Sequence, residues 1–215
     1  MHIITELYKV DKCLTVVKED FKNNKRRWEQ VDKATEYSGI VDGYYTMINK
    51  SDSNWNYYKI KSGIRKDQDF IFQATIELQK HEDCYGHFGL LWGFDDEFEY
   101  FNRFTLSADG KRALVIHFEK NHNAIYHRFQ TRNLPKVSLL HPILFNVIRL
   151  GNYYYFLLNG VVVYSAHEYH FAKNGSHIGY YIEPGISMRS NSLVFKKIKT
   201  KGMDLSTGLQ QLLEA

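Results

Sequence analysis

Residues 146–163 contain three runs of β-branched, aromatic and aliphatic residues, separated by Gly151-Asn152 and Asn159-Gly160. Those two pairs are what two-residue hairpin loops favour, because such turns require φ > 0. The stretch therefore predicts a three-stranded antiparallel meander. Parallel strands would need a crossover of a dozen or more residues between them, and the sequence leaves no room for one here.

The same local logic extends along the chain. In residues 70–78, Phe70, Phe72, Ala74, Ile76 and Leu78 share one face, with Gln73, Thr75 and Glu77 on the other. Period two with one wet side marks an antiparallel sandwich strand. In residues 85–94, Phe88, Leu90, Trp92 and Phe94 alternate with His87, Gly89, Leu91 and Gly93. Asp109-Gly110 is a hairpin signal between residues 98–107 and 112–119, with Phe104, Leu106, Leu114, Ile116 and Phe118 as core candidates. Further strands are predicted over residues 13–17, 43–48, 55–60, 124–130, 142–150, 175–182 and 191–199. Helical periodicity is absent before residue 200. Closely spaced turns and short strands predict an all-β fold, a two-sheet antiparallel jelly-roll sandwich. Its predicted core includes Phe72, Ile76, Leu90, Trp92, Phe104, Ile116, Ile148, Phe156 and Leu158.

Composition sets the outer limits. The 215 residues fit one large β-domain, taken as residues 1–200, followed by a tail over 201–215. An aromatic share of 15% and a hydrophobic share of 44% supply a core and exclude wholesale disorder. The net charge of +4 is mild, and the densest basic run, Lys22 with Lys25, Arg26 and Arg27, reads as a solvated loop. That argues against a nucleic-acid partner. Cys13 and Cys84 match no zinc spacing and make no disulfide framework, so both are expected to be unpaired. No secretory-type leader or bilayer-length apolar run occurs, which sets a cytoplasmic expectation and no membrane partner.

The tail differs from the rest. Leu205, Leu209, Leu212 and Leu213 recur at i, i+4, i+7 and i+8. That spacing is one face of a short helix, with Asp204 or Ser206 available as N-cap. Such a face can dock on its own domain or mediate self-association.

The order of motifs adds a resemblance. Glu19-Asp20-Phe21 precedes a polar loop and Trp28. Residues 71–78 and 85–94 follow, then the hairpin over 152–163, Ile178-Gly179-Tyr180 and Leu193-Val194-Phe195. Across residues 13–199 this resembles the concanavalin A-like lectin/glucanase superfamily, nearest its laminin-G-like and 3-keto-disaccharide hydrolase-like bacterial branch. The resemblance implies two antiparallel sheets in a bent jelly roll, with ligands on the concave sheet or the loops at its rim.

Chemistry is less legible. Glycoside hydrolases of this superfamily carry three carboxylates at Glu-x-Asp-x-x-Glu or Glu-x-Asp-x-Glu spacing, which strand alternation aligns for nucleophile and acid. Asp95, Asp96, Glu97 and Glu99 do not match: Glu97 and Glu99 share a face, but the third place falls at Phe101. Asp95-Asp96-Glu97 offers oxygen ligands of the kind calcium takes, though a solvated turn accounts for it. His167 and His170 fall on opposite faces of a strand, so a zinc pair is not expected there. No catalytic residue, metal or cofactor is assigned. If Phe88, Leu90 and Trp92 face the core, alternation turns His87, Glu99, Phe101, Arg103 and His117 outward. Polar groups beside an aromatic ring form a candidate ligand surface. The resulting expectation is a non-catalytic binding module for a glycan or a protein partner. A hydrolase using concave-face carboxylates and a structural or oligomerisation domain are the alternatives.

Overall fold

The computed structural model describes residues 13–65, 68–80, 86–94, 100–119, 124–131, 134, 137–167, 171 and 175–198. Every regular element among them is a strand. The strands are β1 (Cys13–Glu19), β2 (Val31–Asp32), β3 (Glu36–Val41), β4 (Tyr44–Asn49), β5 (Asn56–Lys61), β6 (Phe70–Lys80), β7 (His87–Phe94) and β8 (Tyr100–Ser107). They continue with β9 (Ala113–Glu119), β10 (Ala124–Thr131), β11 (Ile143–Leu150), β12 (Tyr153–Leu158), β13 (Val161–His167), β14 (His177–Ile182) and β15 (Ser187–Ile198). The tail expected to form a helix, residues 201–215, lies outside the described residues, as do Asp95, Asp96, Glu97, Glu99, Cys84 and His170.

These strands form two antiparallel sheets. The nine-stranded sheet runs β13-β12-β11-β6-β15-β4-β3-β2, with β1 also pairing with β15. The six-stranded sheet runs β10-β9-β8-β7-β14-β5. The meander is β11-β12-β13. Its first turn places Gly151 at φ 54°, and its second places Asn159 at 49° and Gly160 at 80°. Asp42 and Gly43, at 51° and 77°, make an equivalent turn between β3 and β4.

The core lies between the sheets and is largely aromatic. Phe145 and Phe156 of the larger sheet meet Phe88, Phe104 and Trp92 of the smaller at ring separations of 5.4–5.9 Å. In the β1–β2 connection, Phe21 and Trp28 turn inward onto Tyr45, while the basic run between them stays in a loop. Arg26 of that run pairs with Glu19 at 2.8 Å.

All nine predicted core residues are buried, but two face the wrong way. Ala113 and Val115 of β9 enter the main core, so Ile116 lies on the outer face of the six-stranded sheet with Leu114 and Phe118. Phe145 and Val147 of β11 enter it likewise, leaving Ile148 in a separate cluster outside the nine-stranded sheet. Both strands carry apolar residues on both faces, so alternation alone does not choose between them.

Candidate functional site

The outer face of the six-stranded sheet gathers the chemistry. Neighbouring strands β14, β7 and β8 present Tyr181, His87 and Arg103 on it, and Glu183 lies just past the end of β14. Gly89 separates Tyr181 from Thr105 in register. Without a side chain there, Arg103 crosses β7 and lays its guanidinium 4.2 Å from the centre of the Tyr181 ring. A Cβ on Gly89 would sit 2.2 Å from the Phe104 carbonyl oxygen, so the close strand packing needs glycine too.

Four donors converge on Glu183. Its Oε2 accepts from the His87 backbone N–H and from His87 Nδ1, both at 2.9 Å. Its Oε1 accepts from Arg103 at 3.0 Å and from the Tyr181 hydroxyl at 3.1 Å. Burial of the carboxyl pushes its pKa up, but the His87 hydrogen bond, the Arg103 charge and the remaining donors outweigh it and hold the group at about 2. Burial drives the Tyr181 hydroxyl well above its usual range.

An aromatic cap covers the adjoining part of the face. Trp55, just ahead of β5, packs on Tyr181 at 5.6 Å, Phe101 at 5.7 Å and Tyr57 at 5.8 Å. Phe101 itself is 4% exposed and stacks on Phe118 at 4.9 Å. Trp55 is 38% exposed. The ring open to solvent is therefore Trp55, with Phe101 as part of its foundation. Lys59 sets its ammonium 5.4 Å from the Phe94 ring and 5.9 Å from that of Tyr57.

The structure thus brings together three of the residues singled out in the sequence, His87, Phe101 and Arg103. Glu99 lies outside the described residues. His117 is not on this face: it pairs in register with the inward-facing Asn102, and its Nδ1 lies 3.0 Å from Asn102 Oδ1. The reversed face of β9 is the cause. Burial lowers the His117 pKa, so it is neutral at pH 7. Sequence reasoning missed Trp55 and Glu183, because each reaches the site through pairing of strands distant in the chain.

The arrangement constrains the chemistry. A retaining glycosidase needs two carboxyl groups about 5–5.5 Å apart, one with a raised pKa to act as acid. Glu183 is a carboxylate on this face, and its environment holds it ionised, unlike such an acid. No cluster of three or more metal-ligating side chains occurs among the described residues. Elsewhere, a groove of about 230 Å³ follows the β2–β3 edge, lined by Gln30, Val31, Asp32, Tyr37, Ser38, Gly39 and Ile40. It brings a single charged group, Asp32, to its lining.

No family model matches the chain, and no curated protein matches it by sequence. Solved structures do match in fold. An endo-beta-1,3-glucanase from Pyrococcus furiosus superposes with a TM-score of 0.62 at 9% identity, over 89% of this chain and all of that one. A Bacillus licheniformis beta-glucanase gives 0.60 at 10% identity, over 86% and 98%. A Bacillus subtilis protein of unknown function with a galectin-like fold gives 0.60 at 11% identity, over 86% and 97%. The architecture is that of the concanavalin A-like jelly-roll sandwiches. At such identities the likeness establishes fold alone.

Proposed function

We propose that this domain is a non-catalytic carbohydrate-binding module, with Trp55 as its stacking platform and the Arg103–Glu183 pair as its polar edge. The observation that carries the reading is a solvent-open tryptophan fixed on three other rings. A pyranose offers an apolar C–H face and a rim of hydroxyls. A rigid indole suits the first at little entropic cost, because its own foundation already orders it. Guanidinium and carboxylate groups suit the second. Glu183, held ionised, favours binding over acid catalysis. The fold neighbours named as glucanases make a glycan the natural ligand class to test.

Electrophoresis through gels containing soluble β-1,3-glucan or other polysaccharides tests this directly. At least one polymer should retard the wild-type chain. Trp55→Ala should lose most of that retardation, about tenfold or more in affinity, while circular dichroism shows it still folded, with a denaturation midpoint lowered by the lost ring packing. Release of reducing ends from a retarding polymer would instead establish a hydrolase. Failure of every polymer, with retention of a protein ligand, would move the function to a protein-interaction module.

A further inference from the structure

Lys59 carries a charge beside the tryptophan platform. In β5, Tyr58 and Ile60 enter the core, so alternation puts Tyr57 and Lys59 on the outer face of the six-stranded sheet. Lys59 is in register with Gly179 of β14, Gly179 with Leu91 of β7, and Leu91 with Arg103 of β8. One row across four strands therefore has a basic side chain at each end, and no side chain beside Lys59 on β14. Its ends are three strand spacings apart, roughly 14 Å. Tyr181 and Phe101 flank this row on opposite sides, two residues from Gly179 and from Arg103. Trp55 packs on both rings, so its indole crosses the row between the two cations. The cations differ in their partners. Arg103 lies 3.0 Å from Glu183, which matches its charge. Lys59 is half-buried against the Tyr57 and Phe94 rings and has no carboxylate partner among the described residues.

We propose that the glycan stacked on Trp55 is an acidic one, and that Lys59 receives its carboxylate or sulfate group. This inference rests on the carbohydrate-binding reading and narrows it. Tyr57 stands between platform and cation, 5.8 Å from the indole and 5.9 Å from the ammonium. A sugar on Trp55 thus brings its neighbour in the chain towards Lys59. A lysine ammonium is a point charge with three rotatable donors, which suits an anion without demanding one geometry. Covering it with a neutral sugar removes water and returns only hydrogen bonds to hydroxyls. An anion adds a charge-assisted bond, strengthened where aromatic rings displace water. Arg103 and Glu183, at the other end of the row, present both signs of charge and serve hydroxyls without selecting an anion. The net charge of +4 acts in the same direction at long range.

Titration calorimetry on the full chain tests the proposal with matched pairs of oligosaccharides. Galacturonate oligomers and their methyl esters form one pair, since esterification removes the charge and keeps the rings. A sulfated galactan oligomer and its desulfated form make the second. In at least one pair the anionic member should bind the wild type about tenfold more tightly than its neutral counterpart, and added salt should shrink that advantage. The pair that shows it identifies the anion as carboxylate or sulfate. Lys59→Gln should abolish most of the advantage, leave affinity for the neutral member at the wild-type level, and stay folded by circular dichroism. Lys18→Gln makes the same charge change at an exposed position on the other sheet, and should behave as wild type. Equal affinity within both pairs overturns this inference and leaves the carbohydrate reading standing. So does an anion preference that survives Lys59→Gln or that Lys18→Gln lowers equally. Failure of neutral and acidic glycans alike, with the chain folded, overturns both.

Discussion

Glu183 shows what one residue contributes to both stability and site. Its folded pKa of about 2 lies below the ordinary value of 4.5, so the unfolded chain takes up the proton first as pH falls. The stability it contributes is complete above about pH 4.5 and is lost as pH falls towards 2. Glu183→Gln should destabilise the domain at pH 7 by about 1–3 kcal/mol, because charge-assisted hydrogen bonds from Arg103 and His87 are weakened. The difference from wild type should shrink between pH 4.5 and 2. Urea midpoints measured across that range check it; a difference that is constant with pH would contradict it. Arg103 and His87 were legible as outward-facing residues because both sit on strands of plain alternation. Their shared partner was not, since Glu183 is 80 positions from Arg103 and 96 from His87, and no local pattern records which strand lies beside β7.

Among the elements, the clearest lesson comes from β9 and β11. Alternation assigned faces correctly in β6, where Gln73, Thr75 and Glu77 mark the outside. In β9 a covered outer face accepts Leu114 and Ile116 as readily as the core accepts Ala113 and Val115, and the polarity cue vanishes. β2 and β3 escaped the sequence reading altogether. β2 has two residues, and β3 carries Ser38 and Gly39 in its middle, both weak strand formers. The element scale also carries a prediction at β14. A Cβ on Gly179 would lie 1.9 Å from the Tyr58 carbonyl oxygen of β5. Gly179→Ala must push β5 away from β14, and should cost about 1–3 kcal/mol or more. Because Trp55 immediately precedes β5, ligand affinity should fall with it. An unchanged midpoint in thermal denaturation would mean that the strands approach less closely than described.

On the scale of the whole molecule, the sandwich sorts its tryptophans by exposure. The chain has three. Trp28 and Trp92 are 2% and 1% exposed and pack in the core, whereas Trp55 is 38% exposed on the outer face of the six-stranded sheet. Architecture was legible in the sequence because turns and alternation are local. The platform was not, because Trp55 acquires its meaning only when β5, β14 and β8 bring Tyr57, Tyr181 and Phe101 beneath it. The same sorting isolates the measurement that tests the account most directly. Acrylamide should quench one tryptophan class in the wild-type chain, and that class should be missing from Trp55→Phe. Saturating the wild type with a polysaccharide that retards it in electrophoresis should protect the quenchable class, lowering its quenching constant several-fold. A retarding polysaccharide that leaves the quenching of Trp55 unchanged would place the ligand elsewhere and contradict the account.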